Sequence, residues 1–140
     1  MHFDDFVVGY SGTFSKIIGE AENQEFAKIS GDYNPVHFDD EVGKRIGFSG
    51  AVSNGFIQES LLAGALVNTF GSEETIVVAL EKNTRFLNPV YMGDLITAKV
   101  EVTARIPAMQ ALKILGRCQN QDGDQVVETR FTVKILSPAG

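Results

Sequence analysis

The sequence holds a single cysteine, Cys118, no tryptophan and only 4 prolines. One thiol cannot close a disulfide within the chain, and nothing resembles a zinc ligand cluster. The expectation is therefore a reducing, cytoplasmic setting with no metal. Basic residues are scarce as well: 12 Lys and Arg against 18 Asp and Glu give a formal net charge of −6. Phosphate backbones need a basic face, so no nucleic-acid partner is expected, although a local basic patch for a polyanionic group remains open. Long apolar runs are missing too. The strongest, at residues 61–67, falls far short of the roughly 20 residues a membrane-crossing helix needs, so no membrane partner is expected. The opening Met1-His2-Phe3-Asp4-Asp5 is acidic where a secretory leader is basic. Solenoid-length repeats, low-complexity tracts and linker-like stretches are absent.

What is present is an ordinary globular composition. Hydrophobic residues make up 44% and charged residues 21% of 140, enough to bury a core without cross-links. One domain over residues 1–140 is expected.

The second half reads as strands. Ile96, Ala98, Val100, Val102, Ala104 and Ile106 alternate with Thr97, Lys99, Glu101, Thr103 and Arg105, the period-two pattern of a strand with one wet face. Leu112, Ile114, Gly116 and Cys118 alternate with Lys113, Arg117 and Gln119, broken only by Leu115. Asp122-Gly123 supplies a turn. Val127, Phe131, Val133 and Ile135 then oppose Glu128, Arg130 and Lys134. These three runs predict an antiparallel meander, and an earlier strand is expected over about 75–86.

The first half is mixed. Residues 13–18 read as a strand. Residues 22–29 read as a helix, with Phe26 and Ile29 three apart and Gly31 placed to end it. Asp39, Asp40 and Glu41 suit the positive end of a short helix carrying Val42 and Ile46 and closed by Gly47. Residues 56–67 form another helix, whose second half is apolar nearly all round, which predicts burial. A twisted antiparallel sheet wrapping one buried helix hides both this helix and the apolar strand faces. That is an α+β hotdog arrangement, although periodicity alone also fits other α+β layouts.

Between two of the helices lies Ser30-Gly31-Asp32-Tyr33-Asn34-Pro35-Val36-His37. Asp, Asn and Pro make turns, and a lone His near a helix start is often a capping or surface group. The chemical reading is that Pro35 stiffens a loop holding a carboxylate and an imidazole toward one point, where they could activate a water.

The run over residues 31–48, GDYNPVHFDDEVGKRIGF, resembles the signature of the MaoC-like hydratases, the (R)-specific 2-enoyl-CoA hydratases. Phe86-Leu87-Asn88-Pro89-Val90-Tyr91-Met92-Gly93-Asp94 is similar to a second segment of that family. The resemblance implies syn addition of water across a trans-2-enoyl thioester, or the reverse, in fatty acid or polyhydroxyalkanoate metabolism. It places the catalytic pair on Asp32 and His37, a shaping role on Asn34, and a thioester-oxygen site on the Gly55 amide that opens the buried helix. It further implies a homodimer, an acyl-CoA or acyl-carrier-protein thioester as partner, and no cofactor beyond the CoA of the substrate.

The sequence departs from the family at Ala51 and Asn54, where Pro and His are usual. Asn54 reads as an N-cap beside the substrate-binding site. Gln58 and Glu59 are polar where this helix usually stays apolar. Solvent or interface exposure is the ordinary expectation for them; a pocket for a more polar acyl group is the other reading. Lys82, Arg85, Lys44 and Arg45 are the nearest basic candidates for CoA phosphates. Two other readings stand beside the hydratase: a hotdog thioesterase using Glu59, and a non-catalytic acyl-binding subunit.

Overall fold

The computed structural model describes residues 1–139. Its elements are β1 (Ser11–Ile18), α1 (Glu20–Ser30), a 3-10 turn (Pro35–His37), α2 (Asp40–Arg45), α3 (Gly55–Phe70), β2 (Ile76–Phe86), β3 (Asp94–Ile106), β4 (Ala111–Gln119) and β5 (Gln125–Leu136). The strands form one antiparallel sheet in the order β1-β3-β4-β5-β2, with α3 packed into its concave face. This is the hotdog fold.

The meander of β3, β4 and β5 forms as the alternation predicts, because its alternating apolar residues, in β3 as far as Val102, are buried on the face that packs against α3. Ile96, Ala98, Val100 and Val102 are buried, as are Leu112, Ile114, Cys118, Val127, Val133 and Ile135. Leu62 and Ala65 of α3 are wholly enclosed against them; full burial of a leucine contributes roughly 1.5–3 kcal/mol. The helix comes this close because Gly116 has no side chain. A Cβ there would lie 2.9 Å from Leu62 Cδ2 and 3.0 Å from Phe131.

The pattern fails in β3 beyond Val102. A bulge between Val102 and Ala104 shifts the register, so Ala104 turns outward instead of inward, while Arg105 becomes half-buried. An extra residue in one strand exchanges the two faces after it. The freed Arg105 guanidinium stacks 4.6 Å above the Phe3 ring. Phe3 and Phe6, which periodicity did not single out, are buried at that end of the sheet, and Phe6 packs edge-on against Phe70.

Around the loop, Gly31 takes a left-handed φ of 78° and its N–H bonds Ala27 to end α1, as expected. Asp39 caps α2 by accepting from the Glu41 N–H. Ile29, in the last turn of α1, and Ile46, the residue that follows α2, are exposed.

Candidate functional site

Asn34 and Pro35 start the short turn that carries His37. Asn34 Oδ1 accepts from the Val36 N–H, and Asp32 Oδ1 accepts from the Asn34 N–H. Two successive side-chain turns thus fold residues 32–37 back on themselves. Asp32 and His37 face each other, with His37 Nε2 3.9 Å from Asp32 Oδ2. That is longer than a direct hydrogen bond.

Each member of the pair is held from outside the loop. The Val52 carbonyl can only accept, so His37 Nδ1, 2.8 Å away, carries the proton and donates it. In the neutral ring, Nε2 is then the free acceptor turned toward Asp32. Asn23 Nδ2 donates to the His37 carbonyl at 2.7 Å. On the other side, Asn54 Nδ2 donates to Asp32 Oδ2 at 2.7 Å, while its Oδ1 accepts from the Phe56 N–H at 3.0 Å. Asn54 is therefore the N-cap expected of it and also a fixed partner of Asp32.

The first N–H of α3, that of Gly55, has no acceptor among the described residues. It sits at the positive end of a 16-residue helix, where backbone donors favour developing negative charge. Asp32, His37, Asn54 and Gly55 are thus brought to one place. Asn34 belongs to it through the loop it folds, not through a contact with the pair.

Beside this point opens a cleft of about 400 Å³ lined by Phe48, Val52, Phe56, Phe86, Leu87 and Val126, with Ser53, Gly55 and Gln58. The pair does not line the cleft itself. It borders the 52–55 segment that forms one wall. Ser53 and Val52 had no mark in the sequence, since a backbone carbonyl and a common serine acquire roles only from position.

The exposure expected for Gln58 and Glu59 does not occur. They are 3% and 6% exposed, because α3 is enclosed on these faces by the sheet and the 48–53 loop. Glu59 is satisfied there by the Thr84 hydroxyl and by Lys82 Nζ at 2.9 Å. Lys82 is consequently committed to Glu59, and Lys44 pairs with Glu41 at 3.4 Å. Arg45 and Arg85 are exposed without an ion-pair partner among the described residues.

The family model described as "MaoC like domain" matches residues 8–122. An (R)-specific enoyl-CoA hydratase from Aeromonas caviae is 32% identical over 128 residues, 91% of this chain and 94% of the relative. A 3-hydroxybutyryl-CoA dehydratase from Methylorubrum extorquens is 28% identical, over 91% of this chain and 78% of that one. Among solved structures, the unliganded R-hydratase PhaJ1 from Pseudomonas aeruginosa superposes with a TM-score of 0.84 at 28% identity, covering 98% of this chain and 85% of that chain.

Proposed function

The chain belongs to the MaoC-like hydratase and dehydratase family, and on that premise we propose that it adds water to a trans-2-enoyl-CoA to give the (R)-3-hydroxyacyl-CoA. One observation carries the reading: Asp32 Oδ2 and His37 Nε2 face each other at 3.9 Å beside the open N-terminus of α3.

In the proposed reaction a water lies before the pair and offers a hydrogen to each acceptor. Its oxygen bonds to C3 as a proton passes to the pair. The electron pair of the double bond moves toward the thioester, and a proton from the pair reaches C2 on the same face. The Gly55 N–H and the dipole of α3 stabilise the thioester oxygen as it gains enolate character. The imidazolium formed in between is stabilised by the Asp32 carboxylate. This chemistry uses no metal, flavin or nicotinamide.

A homodimer is part of the proposal. The outer strand β2 exposes Ile76, Val78 and Leu80, and an apolar edge of that kind is a pairing surface. A cytoplasmic setting is proposed from the single thiol. The thioesterase reading is disfavoured, because Glu59 is tied to Thr84 and Lys82 and does not line the cleft. Both halves of the acid–imidazole pair are present, which disfavours a non-catalytic subunit.

The test is the fall of enoyl-thioester absorbance with crotonyl-CoA, for wild type beside Asp32→Asn and His37→Asn. Loss of absorbance in wild type alone, with an (R)-3-hydroxy product, is the expected result. Release of free CoA with the enoyl absorbance intact would replace the hydratase by the thioesterase. Activity of Asp32→Asn equal to wild type would remove the proposed mechanism.

A further inference from the structure

The cleft beside α3 is mostly apolar; its polar side chains are Ser53, Gln58 and Asn88, of which Asn88 is exposed at the rim and donates to the Gln125 carbonyl. Gln58 lies within it, 3% exposed. Its Oε1 accepts from Ser53 Oγ at 3.0 Å. Its Nε2 has no acceptor among the described residues, yet this atom is not sealed from the cleft. A carboxamide is thus fixed at one end by a buried hydroxyl and left with free donors among Phe48, Val52, Phe56, Phe86, Leu87 and Val126.

Enclosed polar groups in native proteins are almost always paired, so an open donor in an apolar pocket calls for an acceptor from elsewhere. Packing alone would not select the amide, since apart from Glu59, which is paired with Lys82 and Thr84, the helix fills its other buried positions with apolar residues such as Ile57, Leu61, Leu62 and Leu66. Ser53 restricts how the amide can turn. Gln58 follows Gly55 by three residues, ~4.5 Å of axial rise. A group bound at the Gly55 N–H therefore has Gln58 within a short chain's reach.

We propose that the Ser53–Gln58 pair is a recognition point for the acyl group, and that the substrate is a short 2-enoyl thioester carrying a neutral hydroxyl or carbonyl oxygen at its far end. The proposal rests on the hydratase reading for the position of the thioester. A neutral oxygen is favoured over a carboxylate because no cationic side chain among the described residues lines the cleft and the nearby Lys82 is already paired with Glu59. The oxygen accepts from Gln58 Nε2, and an all-carbon chain leaves that donor unpaired.

The experiment compares crotonyl-CoA with 4-hydroxycrotonyl-CoA in hydration, and butyryl-CoA with 4-hydroxybutyryl-CoA in calorimetric binding. Wild type is expected to favour the oxygenated member by about 10-fold or more in kcat/KM and in Kd, and Gln58→Met to favour the all-carbon member. Should Gln58→Met not fold, Ser53→Ala, which lets the amide turn away, is expected to cut the preference by a factor of about 3. Hydration of both enoyl-CoAs by wild type without preference would overturn this inference alone. A preference unchanged in the folded variant would overturn it too. Selective binding without hydration of either compound would support it and remove the hydratase reading. Failure to bind either analogue together with failure to hydrate either enoyl-CoA would overturn both.

Discussion

The Asn54 side chain spans two structures at once: its amide nitrogen donates to the Asp32 carboxylate at 2.7 Å, and its oxygen caps α3 through the Phe56 N–H at 3.0 Å. The start of the buried helix and the orientation of the acid are therefore one unit. Where the family resemblance leads to the expectation of His, a carboxamide holds Asp32 directly.

The two duties of Asn54 are separable. Asn54→Ser keeps a capping oxygen but loses the reach to Asp32. Its stability in urea is expected to stay within about 0.5 kcal/mol of wild type, since Ser caps nearly as well. Crotonyl-CoA hydration is expected to fall on the order of 10- to 100-fold as Asp32 is released. Asn54→Ala should show the same loss of rate and an additional ~1 kcal/mol of destabilisation. Equal rates for wild type and Asn54→Ser would show that the contact with Asp32 does not matter to the reaction.

Gly43 meets backbone. A Cβ at this position would fall on the Gly50 carbonyl and 2.5 Å from its carbon, and neither atom can swing aside as a side chain could. Gly43→Ala is expected to lose about 1–3 kcal/mol in denaturant unfolding, the usual range for overpacking. Because the displaced loop leads into residues 51–54, activity should fall well below the melting temperature. A variant as stable as wild type would show that α2 and the loop can separate freely.

Glu59 is held by a half-exposed lysine and a hydroxyl from β2. Solvent weakens the Lys82 pair, so Lys82→Met is expected to cost no more than about 1 kcal/mol. Thr84→Val leaves the enclosed carboxylate short of a donor and is expected to cost about 1–3 kcal/mol. Glu59→Gln should retain crotonyl-CoA hydration. Abolition of turnover by Glu59→Gln, together with free CoA release by wild type, would move the chemistry to Glu59.

Burial pushes the Cys118 thiol up to about 12, with the Glu59 charge adding to it. The ordinary thiol value is 9.0, so the folded state disfavours the thiolate. The stability contributed by the neutral buried thiol is complete below about pH 9 and is lost as pH rises from there toward 12. Wild type should therefore lose stability above pH 9 faster than Cys118→Val in denaturant titrations at successive pH values. A thiol reagent at pH 8 should label Cys118 only as fast as the protein opens. Rapid labelling of the native protein would contradict the burial.

The sequence by itself determined the strands of the meander and the buried helix, because one-sided burial writes itself as a period of two or as an unbroken apolar stretch. It also carried the loop from Asp32 to His37, since turn formation there is a local property of Asp, Asn and Pro. Contacts that join distant segments were decided only by tertiary structure. The Val102–Ala104 bulge reversed the faces of Ala104 and Arg105 without any break in the alternation of the sequence. Gln58 and Glu59 looked like surface residues because polarity ordinarily marks exposure. Their burial depends on Ser53, Thr84 and Lys82, which come from other segments. The same holds for the hydrogen bond from Asn54 to Asp32, 22 residues apart: a cap is a local signal, but the second partner of the side chain exists only once α3 has docked beside the loop.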